Sequence, residues 1–237
     1  MALRIITPVK DSIESTLVTA RAVLASHLNV PYTYIIYNDF STPENTCLLE
    51  QAACEMGFQL VNLSDLTDHP SPNYLFVLKH EQKLCLREGA SLLIVESDVT
   101  VKPDTFQRLW EGAQQRPDAG IVAAATVDKN GALNYPYQFL RGQEGQVIDT
   151  RRHCSFCCSL LTPELLKRVD FTSLDASKNW FDVTISHRSL EEGLHNYIFT
   201  SLPVLHKPHS SRPWKQLKYR NPLKYYWIKF TKGFDKI

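Results

Sequence analysis

The chain has 237 residues, of which 43% are hydrophobic and 22% charged, and its formal net charge at pH 7 is +1. This composition is typical of a soluble globular protein, and no apolar run approaches the roughly 20 residues that would span a bilayer. The length predicts one large domain, or one domain with appendages.

Cysteine usage and the N-terminus indicate the compartment. The chain starts directly with a strand-like run and lacks a signal-peptide pattern. Its six cysteines are scattered through apolar segments, and Cys154 and Cys157 lack the second pair that a zinc site would need. We therefore expect the cysteines to be reduced, buried small hydrophobic residues and the protein to be cytoplasmic.

Apolar periodicity over the first 127 residues predicts strands that alternate with helices. The expected strands cover about residues 4–9, 32–37, 58–61, 92–97 and 121–125. The expected helices lie near residues 12–24, 43–56, 75–87 and 103–115. Such alternation predicts an α/β fold with a mostly parallel central sheet that is covered by helices.

The alternation breaks down after a turn at residues 128–131. Residues 147–161 are predicted to be extended, and Pro163 begins a short helix. A further helix follows residues 180–182 and runs to Gly193, and a last strand covers residues 197–205. The tail, defined as residues 207–237, contains nine Lys and Arg residues and one acid, a net charge of +8.

The buried strand near residue 92 ends at two carboxylates, Glu96 and Asp98. Because strand side chains alternate with a period of two residues, both are expected to point to the same side. Two carboxylates brought together repel, and a hard divalent cation would compensate for their charge. The alternative is a strand that leaves the core into a solvated acidic turn.

Polar residues follow three of the predicted strands. They occur at residues 8–10, at Asn38 and Asp39, and at residues 96–98. In open α/β sheets, ligands bind outside the carboxyl ends of the strands. The three strand ends therefore predict one common site.

The order of these motifs resembles that of the inverting glycosyltransferases of family 2, which have the GT-A fold. The resemblance covers nearly the whole chain. It is carried by IITPVKD at 5–11, IYNDFST at 36–42, VESD at 95–98, WFD at 180–182, VLH at 204–206 and YRN at 219–221.

The resemblance implies a GT-A catalytic domain over residues 1–206, with a nucleotide-sugar-binding half at 1–127 and an acceptor half at 128–206. It implies transfer of a sugar from a nucleotide-diphosphate donor to a hydroxyl of a glycan or lipid-linked acceptor, in cell-surface polysaccharide assembly. Mg²⁺ or Mn²⁺ would assist a single displacement.

The resemblance also assigns roles to individual residues. Asp182 matches the catalytic base, whereas Phe181 and Thr184 replace carboxylates that the family usually has nearby. Asp98 and His206 match metal ligands, with His209 as the fallback for the histidine. A helix N-cap is the alternative role for Asp182.

Asp39 matches the residue that binds the nucleotide base, and a turn cap is its alternative role. Asn38 replaces a family Asp. The remaining residues expected to contact the nucleotide sugar are Pro8, Val9, Lys10, Asp11, Asn38, Ser41, Glu96, Ser97, Arg188 and Arg220.

Two alternatives compete with transferase activity. One is a binding protein that keeps the nucleotide pocket and has lost transfer. The other is a sugar-phosphate nucleotidyltransferase, which would need a glycine-rich loop after the first strand, and residues 9–12 contain no glycine.

The basic tail also contains several Trp and Tyr residues, a combination that suits an anionic membrane surface. We expect peripheral attachment to the inner face of the plasma membrane through residues 207–237. Nothing else in the sequence supports binding to nucleic acid.

Overall fold

A computed structural model describes residues 2–178, 180–207 and 221–231, except for the side chain of Lys229. The strands are β1 Leu3–Val9, β2 Tyr32–Asn38, β3 Gln59–Asn62, β4 Ser91–Val95, β5 Val99–Thr100, β6 Ala119–Val127, β7 Val147–Thr150, β8 Cys158–Leu161 and β9 His195–His206. The helices are α1 Ile13–Leu24, α2 Pro43–Met56, α3 Tyr74–Glu88, α4 Thr105–Gln114, α5 Pro163–Arg168, α6 Phe181–Glu191 and α7 Pro222–Thr231.

The first half of the sheet is parallel, in the order β3-β2-β1-β4. Local signals set the bounds of α2 between β2 and β3. The Thr42 hydroxyl accepts a hydrogen bond from the Asn45 amide, Pro43 occupies the first turn, and Gly57 ends the helix at φ 80°. Glycine suits this left-handed C-cap because it has no Cβ.

The second half of the sheet is mixed. Strand β8 lies between β4 and β6 and is antiparallel to both, and β6 continues in parallel to β9. The predicted extended segment at 147–161 is therefore two strands with different partners, since β7 pairs with β9. The insertion of β8 joins residues 1–127 to residues 128–206 in one sheet.

Strand β5 was not predicted, and it brings distant parts of the chain together. Its residue Val99 pairs with His206 at the end of β9, in antiparallel orientation. The Lys207 amide also donates to the Asp98 carbonyl at 3.0 Å. These contacts place the end of β9 against the turn that follows β4.

Helix α6 packs closely against β6. A Cβ built on Gly120 of β6 would lie 2.0 Å from Ser189 Oγ of α6 and 3.2 Å from Leu194 Cβ. Glycine leaves room for the Ser189 hydroxyl, which any larger residue at position 120 would force to rotate or shift. This contact fixes α6, whose first turn carries Asp182.

Helix α3 is joined to β1 and β2 by a buried ion pair. The Glu81 carboxylate is fully buried and accepts two hydrogen bonds from the Arg4 guanidinium, at 2.6 Å and 3.0 Å. The Tyr37 hydroxyl donates to the same carboxylate. A buried charge needs such compensation, because desolvation of an unpaired carboxylate is costly.

The cysteine prediction is confirmed in part. All six thiols are free, and Cys85, Cys154, Cys157 and Cys158 are buried. It is wrong for Cys47 and Cys54, which are exposed. These two residues are seven apart on α2 and so share its outer face.

The boundaries predicted at residues 127 and 206 stay predictions. Arg220, His209 and most of the basic tail lie outside the described residues. Within the ranges that the structure describes, no helix combines the length and apolar character needed to cross a bilayer.

Candidate functional site

The turn after β1 is fastened to the start of α2 by Asp11. The Asp11 carboxylate accepts hydrogen bonds from the Thr42 amide at 2.7 Å and from Asn45 Nδ2 at 3.0 Å, and the Asp11 amide donates to Ser41 Oγ. Partial burial alone would raise the pKa of Asp11, but the Asn45 and Thr42 hydrogen bonds outweigh it and lower the pKa. These contacts give Asp11 and Ser41 a structural role at the site's edge.

Lys10 supports the backbone on which Asp39 stands. Its ammonium donates to the Phe40 carbonyl at 2.9 Å and lies 3.4 Å from the Asp39 carbonyl. Phe40 has a φ of 57°, which is sparsely populated for a bulky side chain. Within β1, the Val9 carbonyl accepts from the Asp39 amide, and Pro8 is paired with Tyr37. The end of β1 therefore positions the end of β2.

Asn38 is buried and holds three segments together. Its Nδ2 donates to Thr46 Oγ1 and Asn62 Oδ1, both at 2.9 Å, and its Oδ1 accepts from the Ser41 amide. An amide can do this because it offers both donors and an acceptor, whereas a carboxylate only accepts. This bonding is a physical reason for Asn, rather than Asp, at position 38.

The Asp39 carboxylate is oriented by the loop before α3. Its Oδ2 accepts from Ser71 Oγ at 2.7 Å and from the Asn73 amide at 2.9 Å, and its Oδ1 accepts from Asn73 Nδ2 at 2.8 Å. A carboxylate has about four lone-pair positions. These contacts leave Oδ1 able to accept one further hydrogen bond.

Glu96 and Asp98 converge by a different route from the one that the sequence predicts. Strand β4 ends at Val95, and a turn follows in which the Val99 amide donates to the Glu96 carbonyl at 3.2 Å. The two side chains differ in environment, since Glu96 is 46% exposed and Asp98 is 6% exposed. Ser97, between them, is buried. The turn and β5, rather than strand alternation, bring both carboxylates to this edge.

His206 faces both carboxylates. Its Nε2 lies 3.5 Å from Asp98 Oδ2 and 4.0 Å from Glu96 Oε2. Burial alone would lower the pKa of His206, but the Asp98 hydrogen bond and the charges of Asp98 and Glu96 outweigh it and raise the pKa. The structure thus brings together the three side chains that the sequence proposed for this end of the site.

Cys157, which the sequence indicated only as a packing residue, belongs to the same group. Its thiol donates to Glu96 Oε2 at 3.1 Å and lies 3.9 Å from His206 Nε2. Burial and the Glu96 charge raise its pKa well above the ordinary value. The Cys157 carbonyl also accepts from the Glu96 amide, which fixes the backbone here. The antiparallel pairing of β4 with β8, in which Cys158 lies opposite Val95, places Cys157 beside Glu96.

Tyr74, which the sequence did not indicate, lies at the start of α3, and its ring is close to that of Phe181 on α6. The Tyr74 hydroxyl is buried and has no hydrogen-bond partner among the described residues. Burial, followed by the charges of Glu96 and Asp182, raises the pKa of Tyr74 well above its usual value. The negative charges of both carboxylates thus act on the same buried phenol.

Asp182 is in the first turn of α6, whose N-cap residue is Trp180. Phe181 is buried, and its ring lies 6.3 Å from that of Tyr74. The Thr184 hydroxyl donates to the Trp180 carbonyl. Phe181 and Thr184 thus stabilise the start of α6, and Asp182 is the carboxylate that this turn offers.

Arg188 bonds away from these groups. Its guanidinium donates to Ser173 Oγ at 2.5 Å and lies 3.5 Å from the Asp170 carbonyl. These contacts join α6 to the 3-10 helix Phe171–Ser173. A nucleotide contact by Arg188 stays a prediction, and the same holds for Arg220, outside the described residues.

The donor atoms of this site fit a divalent cation. Glu96, Asp98 and His206 offer two carboxylates and one imidazole, a ligand set found with Mn²⁺ and related metals. Glu96, Cys157 and His206 offer ligand atoms that all lie within 4.8 Å of one another. These residues could hold a cation at the carboxyl end of β4, which β1 separates from the end of β2 that precedes Asp39.

No protein-family model matches the chain, and no curated protein matches it in sequence. Solved structures do match. One is S. aureus TarS 1–349 in complex with UDP-GlcNAc, at 11% identity and a TM-score of 0.62, covering 90% of this chain and 60% of that one. Another is the mannosyltransferase PcManGT from Pyrobaculum calidifontis in complex with GDP-Man and Mn²⁺, at 15% identity and a TM-score of 0.63, covering 99% of this chain and 64% of that one.

This chain therefore spans 60–64% of the length of those matched chains. At such low identity the likeness establishes the fold alone. The curled central sheet, the flanking helices and the site at the carboxyl ends of β2 and β4 belong to a chain with the GT-A fold.

Proposed function

We propose that the protein is an inverting glycosyltransferase that uses a nucleotide-diphosphate sugar. The observation that carries the proposal is that Asp39 follows β2, while Glu96 and Asp98 follow β4 and face His206, so that both groups lie at the carboxyl edge of parallel strands separated only by β1. In the GT-A fold this edge would place a nucleotide base and a diphosphate side by side. The similarity to structures that contain UDP-GlcNAc, or GDP-Man and Mn²⁺, supports this reading.

Asp39 and the pair formed by Asp98 and His206 would bind different parts of the donor. The remaining acceptor position on Asp39 suits one N–H group of a nucleotide base, while Ser71 and Asn73 hold the carboxylate in place. Asp98 and His206 would hold Mg²⁺ or Mn²⁺, with Glu96 beside them. When bound, the cation would offset the negative charge of the departing diphosphate.

Inverting transfer is a single in-line displacement and requires one general base. Asp182 would take the proton from the acceptor hydroxyl as that oxygen bonds to the anomeric carbon. As this bond forms, the bond between that carbon and the diphosphate oxygen breaks, and the nucleoside diphosphate leaves with the bonding electrons. An acceptor that is a glycan or a lipid-linked sugar, in cell-surface polysaccharide assembly, is part of this proposal.

The test is release of nucleoside diphosphate from a panel of UDP-, GDP-, CDP- and dTDP-sugars, with and without Mn²⁺. We expect metal-dependent hydrolysis of one donor class. A nucleotide-binding homologue that has lost transfer would bind one nucleotide and release nothing from any sugar. That outcome would refute the transferase and leave the binding site standing.

We also propose that α7 attaches the protein to an anionic membrane surface. Leu223, Tyr226, Trp227 and Phe230 are exposed, and their spacing of i, i+3, i+4 and i+7 places them on one face of the helix. The tail that contains them has a net charge of +8. Aromatic residues suit the headgroup level, and each Lys or Arg gains about 1 kcal/mol near anionic lipid.

Co-sedimentation with vesicles tests this attachment. Vesicles of phosphatidylglycerol and phosphatidylcholine should bind the protein at low salt, and pure phosphatidylcholine vesicles should bind it weakly. The double variant Trp227→Ala/Phe230→Ala should lose this binding, whereas Leu66→Ala, at another exposed hydrophobic residue, should keep it. Self-association through α7, or equal binding to both vesicle types, would refute the proposal.

A further inference from the structure

The group formed by Glu96, Cys157 and His206 contains a thiol as well as oxygen and nitrogen donors. Cys157 Sγ lies 3.1 Å from Glu96 Oε2 and 3.9 Å from His206 Nε2, and Nε2 lies 4.0 Å from the same Glu96 oxygen. The three atoms form a triangle whose sides range from 3.1 to 4.0 Å. Asp98 Oδ2 lies 3.5 Å from the imidazole.

These separations can be compared with known coordination geometry. At metal–ligand bonds of about 2.0–2.3 Å, tetrahedral ligand atoms stand roughly 3.3–3.8 Å apart. Adjacent octahedral ligands around Mg²⁺, at bonds of about 2.1 Å, stand only about 3.0 Å apart. The three separations to His206 Nε2, of 3.5–4.0 Å, are nearer to the tetrahedral value, whereas the 3.1 Å between Cys157 Sγ and Glu96 Oε2 is nearer to the octahedral one. Sulfur, nitrogen and carboxylate oxygen are also the donors that Zn²⁺ prefers.

We propose that Glu96, Cys157 and His206 bind a thiophilic divalent cation of the zinc class, and that this cation competes with Mg²⁺ or Mn²⁺ for the same edge of the sheet. The inference rests on the proposed function for its consequence, since a cation bound through Cys157 sulfur would occupy His206, a proposed ligand of the catalytic metal, and the Glu96 carboxylate beside it.

Binding changes the protonation of the thiol and involves no oxidation. The cation forms a bond to Cys157 sulfur, the S–H bond breaks, and the proton passes to solvent. Mg²⁺ and Mn²⁺ have less affinity for sulfur and leave the thiol protonated. Cys157 therefore distinguishes the two classes of cation, whereas the carboxylates serve both.

Co²⁺ is a suitable probe because a cobalt–thiolate bond gives a charge-transfer absorption band in the near ultraviolet. The titration uses the full chain with Cys47→Ser and Cys54→Ser, which removes the two exposed thiols. We expect a band at one equivalent of Co²⁺ that Zn²⁺ displaces and Mg²⁺ does not. Adding Cys157→Ser should abolish the band and weaken Zn²⁺ binding by at least the roughly 10- to 100-fold that loss of a ligand-supporting residue costs.

Two controls make the result specific. Cys85→Ser, at a buried thiol on α3, should keep the band. His206→Gln should weaken Zn²⁺ binding as Cys157→Ser does. A band that survives Cys157→Ser, or Zn²⁺ binding no tighter than Mn²⁺ binding, would overturn the inference.

The inference and the proposed function can fail separately. If Mn²⁺-dependent donor hydrolysis occurs without a cobalt–thiolate band, the thiophilic site is refuted and the transferase stands. If the band appears and no nucleotide sugar is hydrolysed, the zinc-class site stands and the transferase is refuted. In an active enzyme, Zn²⁺ should inhibit hydrolysis, and excess Mn²⁺ should relieve this inhibition more readily in the Cys157→Ser variant.

Discussion

His206 Nε2 lies 3.5 Å from Asp98 Oδ2, although the two residues are 108 positions apart in the sequence. The antiparallel pairing of Val99 with His206 creates this contact. It joins a carboxylate beside β4 to an imidazole at the end of β9. The candidate metal centre thus depends on the mixed half of the sheet as much as on the parallel half.

Removal of the proposed base should separate binding from chemistry. The Asp182→Asn variant should keep nucleotide affinity, because Asp182 lies on α6 whereas Asp39 directly follows β2. Transfer should fall about 10²- to 10⁴-fold, the usual contribution of a general base. Donor turnover and nucleotide titration measured on the same preparation check this. Glu191→Gln, at the exposed end of α6, is the control and should keep full activity.

Removal of the Tyr74 hydroxyl should keep or raise the stability of the protein and lower its activity. Removal of a buried hydroxyl without a partner relieves a desolvation cost of about 1–3 kcal/mol. Tyr74→Phe should therefore keep or raise the melting temperature of the free protein. If the phenol hydrogen-bonds the acceptor near Asp182, turnover should fall, whereas donor affinity should be unchanged. A less stable but fully active variant would show that the hydroxyl serves the fold alone.

Much of the first half of the fold could be predicted from the sequence. The strands β1 to β4 and the helices between them follow from apolar periodicity and from signals such as Thr42 and Gly57. The rule that sites lie at strand ends indicated Asp39 and Asp98. Both residues do lie at this edge of the sheet.

The rest of the fold and of the site could not be predicted, because it depends on the order of the strands in the sheet, which local periodicity does not determine. The insertion of β8 between β4 and β6 places Cys157 beside Glu96. Nothing in the residues around Cys157 distinguishes it from Cys158, which is an ordinary core thiol. Tyr74 and the contacts of Arg188 with Ser173 likewise follow from packing between elements distant in sequence.

Outside the site, we expect a large loss in the free energy of unfolding when the buried ion pair between Arg4 of β1 and Glu81 of α3 is broken. Arg4→Met would leave the Glu81 carboxylate buried without its guanidinium partner. Breaking such a pair costs about 3–5 kcal/mol. Urea unfolding should show this loss, and the double variant Arg4→Met/Glu81→Leu should recover part of it. Equal loss in the single and double variants would contradict the pairing.

A second ion pair predicts a pH dependence of stability. His195 Nδ1 lies 2.8 Å from Asp149 Oδ2, and this hydrogen bond, with the Asp149 charge, raises the pKa of His195. Since protonated His195 is favoured in the folded state, its contribution is complete below the unfolded pKa of about 6.5. The contribution is lost as the pH rises through the higher folded pKa.

The difference in melting temperature between the wild-type protein and His195→Gln should therefore be largest near pH 5.5 and decrease towards pH 8.5. A difference that grows as the pH rises would contradict the assignment.

The most direct test of the proposed site is a thermal-shift measurement with nucleoside diphosphates, with and without Mn²⁺. A nucleotide at 100 times its dissociation constant stabilises the folded protein by about 2.7 kcal/mol. We predict that one diphosphate gives a larger shift with Mn²⁺, and that Asp98→Asn removes the metal-dependent part while Asp104→Asn, at the start of α4, retains it. A full Mn²⁺-dependent shift in Asp98→Asn would contradict the central claim that Asp98 holds the metal beside the nucleotide.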